Sequence, residues 1–135
     1  MFISEIKIRV RYAETDKMGY CHHSVYAQYF EEGRTELMRD LGVSYLDMES
    51  KGIMLPVLEL KTKFLKPAFY DDVLTIRTTL KEYPGVKIKF HYETINQHGE
   101  KINFAETTLV FVKAETMKPT KPPLFFLEKL TSLKK

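Results

Sequence analysis

One long amphipathic helix is the sequence feature that most constrains how this chain can fold. Between residues 24 and 41, apolar or small side chains recur every four positions, at Val25, Tyr29, Gly33, Leu37 and Leu41. This spacing is typical of a helix with one buried stripe, and charged residues occupy its other faces. About 18 residues form a rod about 27 Å long. The rest of the chain must therefore supply an apolar surface that covers the stripe.

The two ends of this segment carry residues that favour the start and the end of a helix. Ser24, or the histidines before it, can supply the N-cap, and Gly42 follows the last apolar position as a terminating glycine does. Gly33 lies inside the stripe, where glycine costs a helix about 1 kcal/mol relative to alanine. We therefore expect another backbone to approach the helix closely at Gly33.

Most of the remaining chain shows the two-residue alternation of β-strands. The alternation predicts strands over residues 2–12, 53–66, 73–83, 86–93 and 102–114, with a short helix or turn over 44–51 and one or two helical turns at the end. Tight turns are expected at Pro84-Gly85 and over residues 96–100. Consecutive strands joined in this way indicate an antiparallel meander, and a sheet that buries one helix gives an α+β fold.

Length and composition limit the class of protein. The 135 residues (15.9 kDa) predict a single domain over 1–135. No apolar run approaches the roughly 20 residues of a membrane span, and Glu5, Lys7 and Arg9 interrupt any secretory signal. With one cysteine, Cys21, no internal disulfide can form, and a cytoplasmic location without membrane insertion is expected. The net charge of +3 and dispersed lysines argue against nucleic-acid binding.

The stretch 12–34 holds the highest density of reactive side chains. A loop over residues 13–22 carries Asp16, and Cys21, His22 and His23 lead into the helix. A cysteine nucleophile is disfavoured because neighbours in sequence seldom present both side chains to one substrate atom. A metal site is disfavoured because these residues lack a familiar ligand spacing. On spacing alone, Asp16 is more simply a loop or capping aspartate than a catalytic one.

Two motifs in register support a more specific interpretation. The first is Tyr12-x-x-Thr15-Asp16-x-x-Gly19-x-x-x-His23-x-x-Tyr26, continuing through Tyr29, Phe30, Glu31 and Arg34, and the second is Phe64-Leu65-Lys66-Pro67-Ala68-x-x-Asp71-Asp72-x-Leu74. With these motifs the chain resembles the hotdog-fold acyl-CoA thioesterases of the 4-hydroxybenzoyl-CoA thioesterase-like branch over nearly its whole length. The resemblance implies an antiparallel β-sheet of about five strands wrapped around one long central α-helix. This sequence departs from the family pattern at Glu14, Met18 and Cys21-His22, positions that lie beside the acyl pocket in the family.

The resemblance implies hydrolysis of an acyl-CoA to a free acid and coenzyme A, without metal or cofactor. Asp16 would act as general base or as nucleophile, and amides at the helix N-terminus around His23 to Val25 would stabilise the oxyanion. His23 and Tyr12 are the supporting catalytic candidates, although a helix cap and plain core packing explain them as well. The remaining substrate-binding candidates are Gly19, His22, Ser24 and Tyr26.

Carrier, partners and assembly are the remaining expectations. An acyl carrier protein thioesterase and a non-catalytic acyl-CoA-binding module are the alternatives to an acyl-CoA thioesterase. Members of this fold pair their sheets edge to edge, so the resemblance implies a homodimer or homotetramer with active sites at the subunit interface. Six cations are candidates for the phosphates of coenzyme A, although each is more simply a solvated charge on a strand: Lys61, Lys63, Lys66, Arg77, Lys87 and Lys89.

Overall fold

The computed structural model describes residues 1–133, so the last two residues of the predicted domain, 134–135, lie outside the described residues. Its elements in chain order are β1 (Phe2–Arg9), a 3₁₀ helix (Tyr12–Glu14), α1 (Val25–Asp40), α2 (Tyr45–Ser50), β2 (Ile53–Met54), β3 (Val57–Phe64), β4 (Val73–Leu80), β5 (Lys87–Ile95), β6 (Lys101–Val110), β7 (Val112–Lys113) and α3 (Leu124–Leu133). No helix within residues 1–133 has the length and hydropathy that a membrane span requires.

Five antiparallel strands form one sheet in the order β1-β4-β5-β6-β3, and β2 pairs separately with β7. The predicted α+β architecture with an antiparallel sheet is confirmed. The predicted meander holds only for β4, β5 and β6. β3 does not pair with β4, because residues 65–72, here called the crossover segment, carry the chain from one edge of the sheet to the other side of β5 and β6.

The apolar stripe of α1 packs on the inner face of this sheet, as predicted. Along β4 and β5, every second residue faces inward and is buried, and the residues between them are exposed or half-buried. The inward residues include Ile76, Thr78 and Tyr92. Phe30 of α1 stacks on Tyr92 with ring centroids 4.6 Å apart. Burial of such aromatic surface, rather than helix propensity, holds α1 in place.

Gly33 lies where α1 approaches β4 most closely. A Cβ atom at this position would collide with Oγ1 of Thr78 and would lie 3.2 Å from Cγ2 of Ile76. The predicted close approach is therefore confirmed, but side chains of β4 make it rather than another backbone. A glycine is required here because no other residue leaves this space open.

The strand predictions were wrong in several details, and the strand predicted over 102–114 also divides, into β6 and β7. β1 ends at Arg9, and Tyr12 belongs to a 3₁₀ helix that closes through a hydrogen bond from Thr15 N to Tyr12 O (3.1 Å). The segment predicted over 53–66 divides into β2 and β3 around Leu55-Pro56, since proline lacks the N–H that a strand interior needs. The apolar alternation of β3 does not mark a buried face, because β3 is an edge strand that leaves both faces largely exposed.

Candidate active site

Asp16 lies in a tight loop that fixes half of its carboxylate. Its Oδ1 accepts hydrogen bonds from the backbone N–H groups of Met18 (2.8 Å) and Tyr20 (3.1 Å). Asp16 N donates to Tyr20 O (2.8 Å), and Gly19, with φ of +82°, donates its N–H to Asp16 O (3.0 Å). This left-handed conformation favours glycine. Oδ2 of Asp16 accepts no hydrogen bond from residues 1–133, so it remains available to a substrate or water.

The two sequence motifs meet beside this loop. Cys21 N donates to Ala68 O (2.8 Å), and Tyr20 forms a β-bridge with Phe69 of the crossover segment. The rings of Tyr20 and Phe69 also pack edge-on, with centroids 5.4 Å apart. Residues separated by almost fifty positions in sequence therefore form one wall of the site.

The start of α1 is organised by His22 rather than by Ser24. Ser24 has helical backbone angles (φ −68°, ψ −22°) and caps no backbone N–H, because an N-cap side chain reaches its targets from the extended region. His22 O instead accepts from Val25 N (3.0 Å), and His22 Nδ1 accepts from Ser24 N (3.2 Å) and lies 2.8 Å from Ser24 Oγ. Ser24 thus occupies the N-cap position without a capping side chain, and His22 accepts from the amides of Ser24 and Val25 rather than from the later first-turn amides that an N-cap side chain binds.

These contacts also change the expectation of free amides over His23 to Val25. The amides of Ser24 and Val25 already donate to His22. Of the three expected donors, only the N–H of His23 lacks an acceptor among the described residues. The rings of His22 and His23 stack with centroids 4.3 Å apart, and both side chains are exposed.

A cavity of about 350 Å³ lies between the loop, the first turn of α1 and the end of β3. Its walls combine one carboxylate, one imidazole and one ammonium group with apolar and aromatic surface, from Asp16, Tyr20, Cys21, His23, Tyr26, Phe64, Leu65, Lys66 and Pro67. A larger groove of about 670 Å³ between β1 and α1 is lined mainly by charged residues and contains none of the predicted site residues. The smaller cavity has the apolar walls and few polar groups of a small-molecule site.

The predicted site residues divide into three groups. Asp16, His23 and Tyr26 line the cavity, and Gly19 shapes the loop that holds Asp16. His22 and Ser24 shape the start of α1 but do not line the cavity. Tyr12 lies on the surface, 76% exposed, and packs edge-on against Tyr70 with ring centroids 5.6 Å apart. Within a single chain Tyr12 does not join the Asp16 cluster.

The six cations considered for coenzyme A have different surroundings. Lys66 lines the cavity and pairs with Glu100 (2.6 Å). The others lie elsewhere, and three of them pair with carboxylates on neighbouring strands: Lys61 and Lys89 with Glu106, and Arg77 with Glu5 and Glu93. Within residues 1–133 no three His, Cys, Asp or Glu side chains converge as metal ligands would.

Sequence reasoning missed a buried carboxylate next to the loop. Glu14 is 8% exposed and accepts hydrogen bonds from Arg11 N (2.9 Å), Arg11 Nη2 (3.0 Å) and Tyr29 Oη (2.7 Å). Burial alone would raise the pKa of Glu14, but these donors outweigh it, so the pKa lies below its usual value. Tyr29 was the residue in the sequence that could have indicated this carboxylate, because a tyrosine in an apolar stripe needs a hydrogen-bond partner for its hydroxyl.

Cys21 and two tyrosines extend this buried network to the cavity. The Sγ atom of Cys21 lies 3.8 Å from Tyr29 Oη. Burial raises the pKa of the Cys21 thiol, and burial, together with the neighbouring Glu14 and Cys21, raises the pKa of Tyr29. Burial is also the main cause that raises the pKa of Tyr26. At neutral pH Cys21 is therefore a neutral thiol in the cavity wall, which makes it a poor nucleophile.

Comparison with known proteins identifies close relatives. The family model of the thioesterase-like superfamily matches residues 10–130. The putative acyl-CoA thioesterase YneP of Bacillus subtilis is 39% identical over 119 residues, covering 88% of this chain and 86% of YneP. The acyl-CoA thioester hydrolase YbgC of Escherichia coli is 29% identical over 116 residues, covering 86% of this chain and 87% of YbgC. The crystal structure of DHNA-CoA thioesterase from Staphylococcus aureus aligns with a TM-score of 0.92 and 34% identity, covering 98% of this chain and 91% of that one.

Proposed function

The chain belongs to the thioesterase-like superfamily, and we propose that this hotdog-fold acyl-CoA thioesterase uses Asp16 to hydrolyse an acyl-CoA to the free carboxylic acid and coenzyme A. The observation that carries the proposal is the half-fixed carboxylate. Two amides hold Oδ1 of Asp16, and Oδ2 is free in the wall of a largely apolar cavity at the start of α1. YneP and YbgC, which match most of this chain, are named for acyl-CoA thioester hydrolysis.

Asp16 acts as a general base in the proposed reaction. Oδ2 takes a proton from a water molecule as the water oxygen adds to the thioester carbonyl carbon. The tetrahedral intermediate then collapses, the C–S bond breaks, and the thiolate takes the proton from Asp16. A thiol of pKa about 8.5 leaves readily, so no strong general acid is needed.

The developing oxyanion is stabilised at the beginning of α1. The N–H of His23 is free to donate, and the positive end of the helix dipole lies beside it. Loss of one such donor in other enzymes raises the barrier by about 3 to 4 kcal/mol. The His23 ring in the cavity wall is a further donor toward the carbonyl or the attacking water.

Substitution of Asp16 by asparagine tests this role. The variant keeps the side-chain shape, and its amide oxygen can still accept from Met18 N and Tyr20 N, but it cannot take a proton. We expect kcat on a panel of acyl-CoA substrates to fall by about 100-fold or more, with unchanged thermal stability. Asp40→Asn, an exposed carboxylate at the end of α1, serves as the control. The proposal is wrong if no acyl-CoA is cleaved, or if Asp16→Asn cleaves as well as the wild type.

A nucleophilic route through a mixed anhydride on Asp16 predicts a different isotope pattern. In a single turnover in ¹⁸O-labelled water, the general-base route places the label in the product acid. The nucleophilic route, with water attacking the Asp16 carbonyl, places it in the enzyme. Mass spectrometry of the acid and of the peptide that contains Asp16 separates the two routes.

The carrier and the cellular location are parts of the same proposal. Coenzyme A is the proposed carrier, and cleavage of an acyl-(acyl carrier protein) in preference to the matched acyl-CoA, with sensitivity to Lys87→Glu, would favour the other carrier. Tight acyl-CoA binding without turnover would identify a non-catalytic module. The cytoplasm is the proposed location, because Cys21 then stays a free thiol.

The edge strand β3 supports a proposed homodimer or homotetramer. One side of β3 has no strand partner within residues 1–133. Its apolar side chains Leu58, Leu60 and Phe64 are all exposed in the single chain, and Phe64 also lines the cavity. Pairing of β3 with a second copy would cover these side chains and place the cavity at the subunit interface. Sedimentation as a monomer at working concentrations would contradict this assembly.

A further inference from the structure

Glu14 lies two residues before Asp16 and connects three parts of the chain. Its carboxylate accepts from the backbone and guanidinium of Arg11, in front of the loop, and from Tyr29 Oη (2.7 Å) on the second turn of α1. Its backbone oxygen accepts from His22 N (2.8 Å), the residue that organises the helix start. Asp16 lies between these attachment points, so both ends of its loop are tied through Glu14.

From these contacts we propose that Glu14 and Tyr29 are positioning residues, which set the distance between Asp16 and the N–H of His23 at the start of α1 during thioester hydrolysis. The inference rests on the function proposed above for Asp16. Neither side chain lines the cavity, so both act through the loop rather than on the substrate.

The hydrogen bonds around Tyr29 have a fixed direction. An ionised carboxylate only accepts, so Tyr29 Oη must donate its proton to Glu14. The Tyr29 oxygen is then left to accept from the thiol of Cys21, whose Sγ lies 3.8 Å away in the cavity wall. The chain Cys21 to Tyr29 to Glu14 therefore runs from the cavity to the residue that holds the loop.

A purely structural role explains this arrangement less well. Tyr29 is 3% exposed and lies within the apolar stripe of α1, where a leucine or phenylalanine would bury as much apolar surface. Replacing both partners of a buried hydrogen bond with apolar groups of the same shape is often nearly neutral for stability. What the pair adds is fixed geometry, and catalytic groups need their supporting shell to hold them within about 0.5 Å.

The test compares two buried tyrosine hydroxyls, of which one is hydrogen-bonded to the residue that holds the Asp16 loop and the other lies within the sheet. Tyr29→Phe removes the hydrogen bond to Glu14, and Tyr92→Phe removes one of equal length to Thr107 (2.7 Å) in the middle of the sheet. We expect Tyr29→Phe to lower kcat by about 10- to 100-fold with KM within twofold. Tyr92→Phe should also lower thermal stability, because it loses a buried hydrogen bond, but it should leave kcat within twofold.

Coupling between the two residues gives a second readout. Glu14→Gln keeps the size of the side chain but not its charge, and should lower kcat as Tyr29→Phe does. Because the residues act as one unit, the double variant should be no slower than the slower single variant. Steady-state kinetics are normalised to folded protein by circular dichroism, so that partial unfolding does not count as lost turnover.

The outcomes separate failure of this inference from failure of the proposed function. If Asp16→Asn is inactive but Tyr29→Phe and Tyr92→Phe turn over equally fast, Asp16 is catalytic and the positioning role is wrong. Fully additive losses in the Glu14→Gln, Tyr29→Phe double variant also overturn it. If Asp16→Asn keeps full activity, the function proposed for Asp16 fails, whatever the Tyr29 variants do.

Discussion

Replacing Gly33 with alanine tests how closely α1 packs on the sheet. The new methyl group gains about 1 kcal/mol of helix propensity. It also collides with Thr78 Oγ1 and lies 3.2 Å from Ile76 Cγ2, and both neighbours are fully buried. Overpacking of a core costs about 1–3 kcal/mol, and the collision with a rigid strand places Gly33→Ala at the upper end. The expected net loss is about 2 kcal/mol in the free energy of unfolding.

The loss should disappear when Thr78 is also replaced. Thr78 Oγ1 has no hydrogen-bond partner among the described residues, so Thr78→Ala removes the obstacle without breaking a bond. The alanine methyl at position 33 then fills the vacated space, but it still lies 3.2 Å from Ile76 Cγ2, so only part of the helix gain of about 1 kcal/mol is recovered. The coupling energy between the two sites is therefore about 2 to 3 kcal/mol, in the upper part of the range for residues in contact.

Urea unfolding of the four proteins in this cycle measures the coupling. With a slope of about 2 kcal/mol/M, Gly33→Ala lowers the midpoint by about 1 M in the wild-type background and raises it slightly in the Thr78→Ala background. A midpoint for Gly33→Ala at or above that of the wild type would refute the close approach. An equal loss in both backgrounds would show that Thr78 is not the obstacle.

Three further predictions concern stability. Folding lowers the pKa of Glu14, so ionised Glu14 stabilises the folded state. This contribution to the free energy of unfolding is complete above the usual pKa of 4.5 and is lost as the pH falls through the lower pKa of the folded state. The deficit of Glu14→Gln in urea midpoint should therefore be larger at pH 7 than at pH 3, and a constant deficit would contradict this. Asn103→Leu should leave the melting temperature unchanged or raise it, since both polar atoms of the Asn103 side chain are buried without hydrogen-bond partners among the described residues. Thr107→Val, in contrast, should lower the free energy of unfolding by about 1 kcal/mol, because it removes the hydrogen bond to Tyr92. Ser44→Ala should cost about 1 kcal/mol because Ser44 caps α2, and Ser24→Ala clearly less because Ser24 caps nothing, both measured by thermal unfolding.

Local periodicity in the sequence was enough to predict most elements and the core side of α1. The residues that repeat every four positions from Val25 to Leu41 lie on one face of the helix, and all of them are buried. The turn at residues 96–100 was likewise predictable, because Gly99 adopts φ of +80° there. These features depend on neighbours a few residues away, which a single sequence records directly.

The errors concern contacts between distant residues. Alternation in β3 could not reveal that it pairs with β6 rather than β4, because strand order is decided by the whole sheet. The Ser24 prediction failed because the backbone at Ser24 is already helical and its hydroxyl contacts His22 Nδ1 instead of a first-turn amide. Glu14 was noted only as a departure from the family pattern, since its partner Tyr29 lies fifteen residues away and was assigned to the core.

The crossover segment links the wall of the cavity to strand pairs that are distant in sequence. It connects β3, which pairs with β6, to β4, which pairs with β1, and its Ala68 O accepts from Cys21 N. These pairings join residues such as Phe64 with Asn103 and Ile6 with Ile76, which are far apart in sequence, and such contacts form slowly because long loops must close first. A refolding chain should thus regain its helical signal before its thioesterase activity. We therefore expect the cavity to form late in folding, so that the return of catalysis marks a completed sheet.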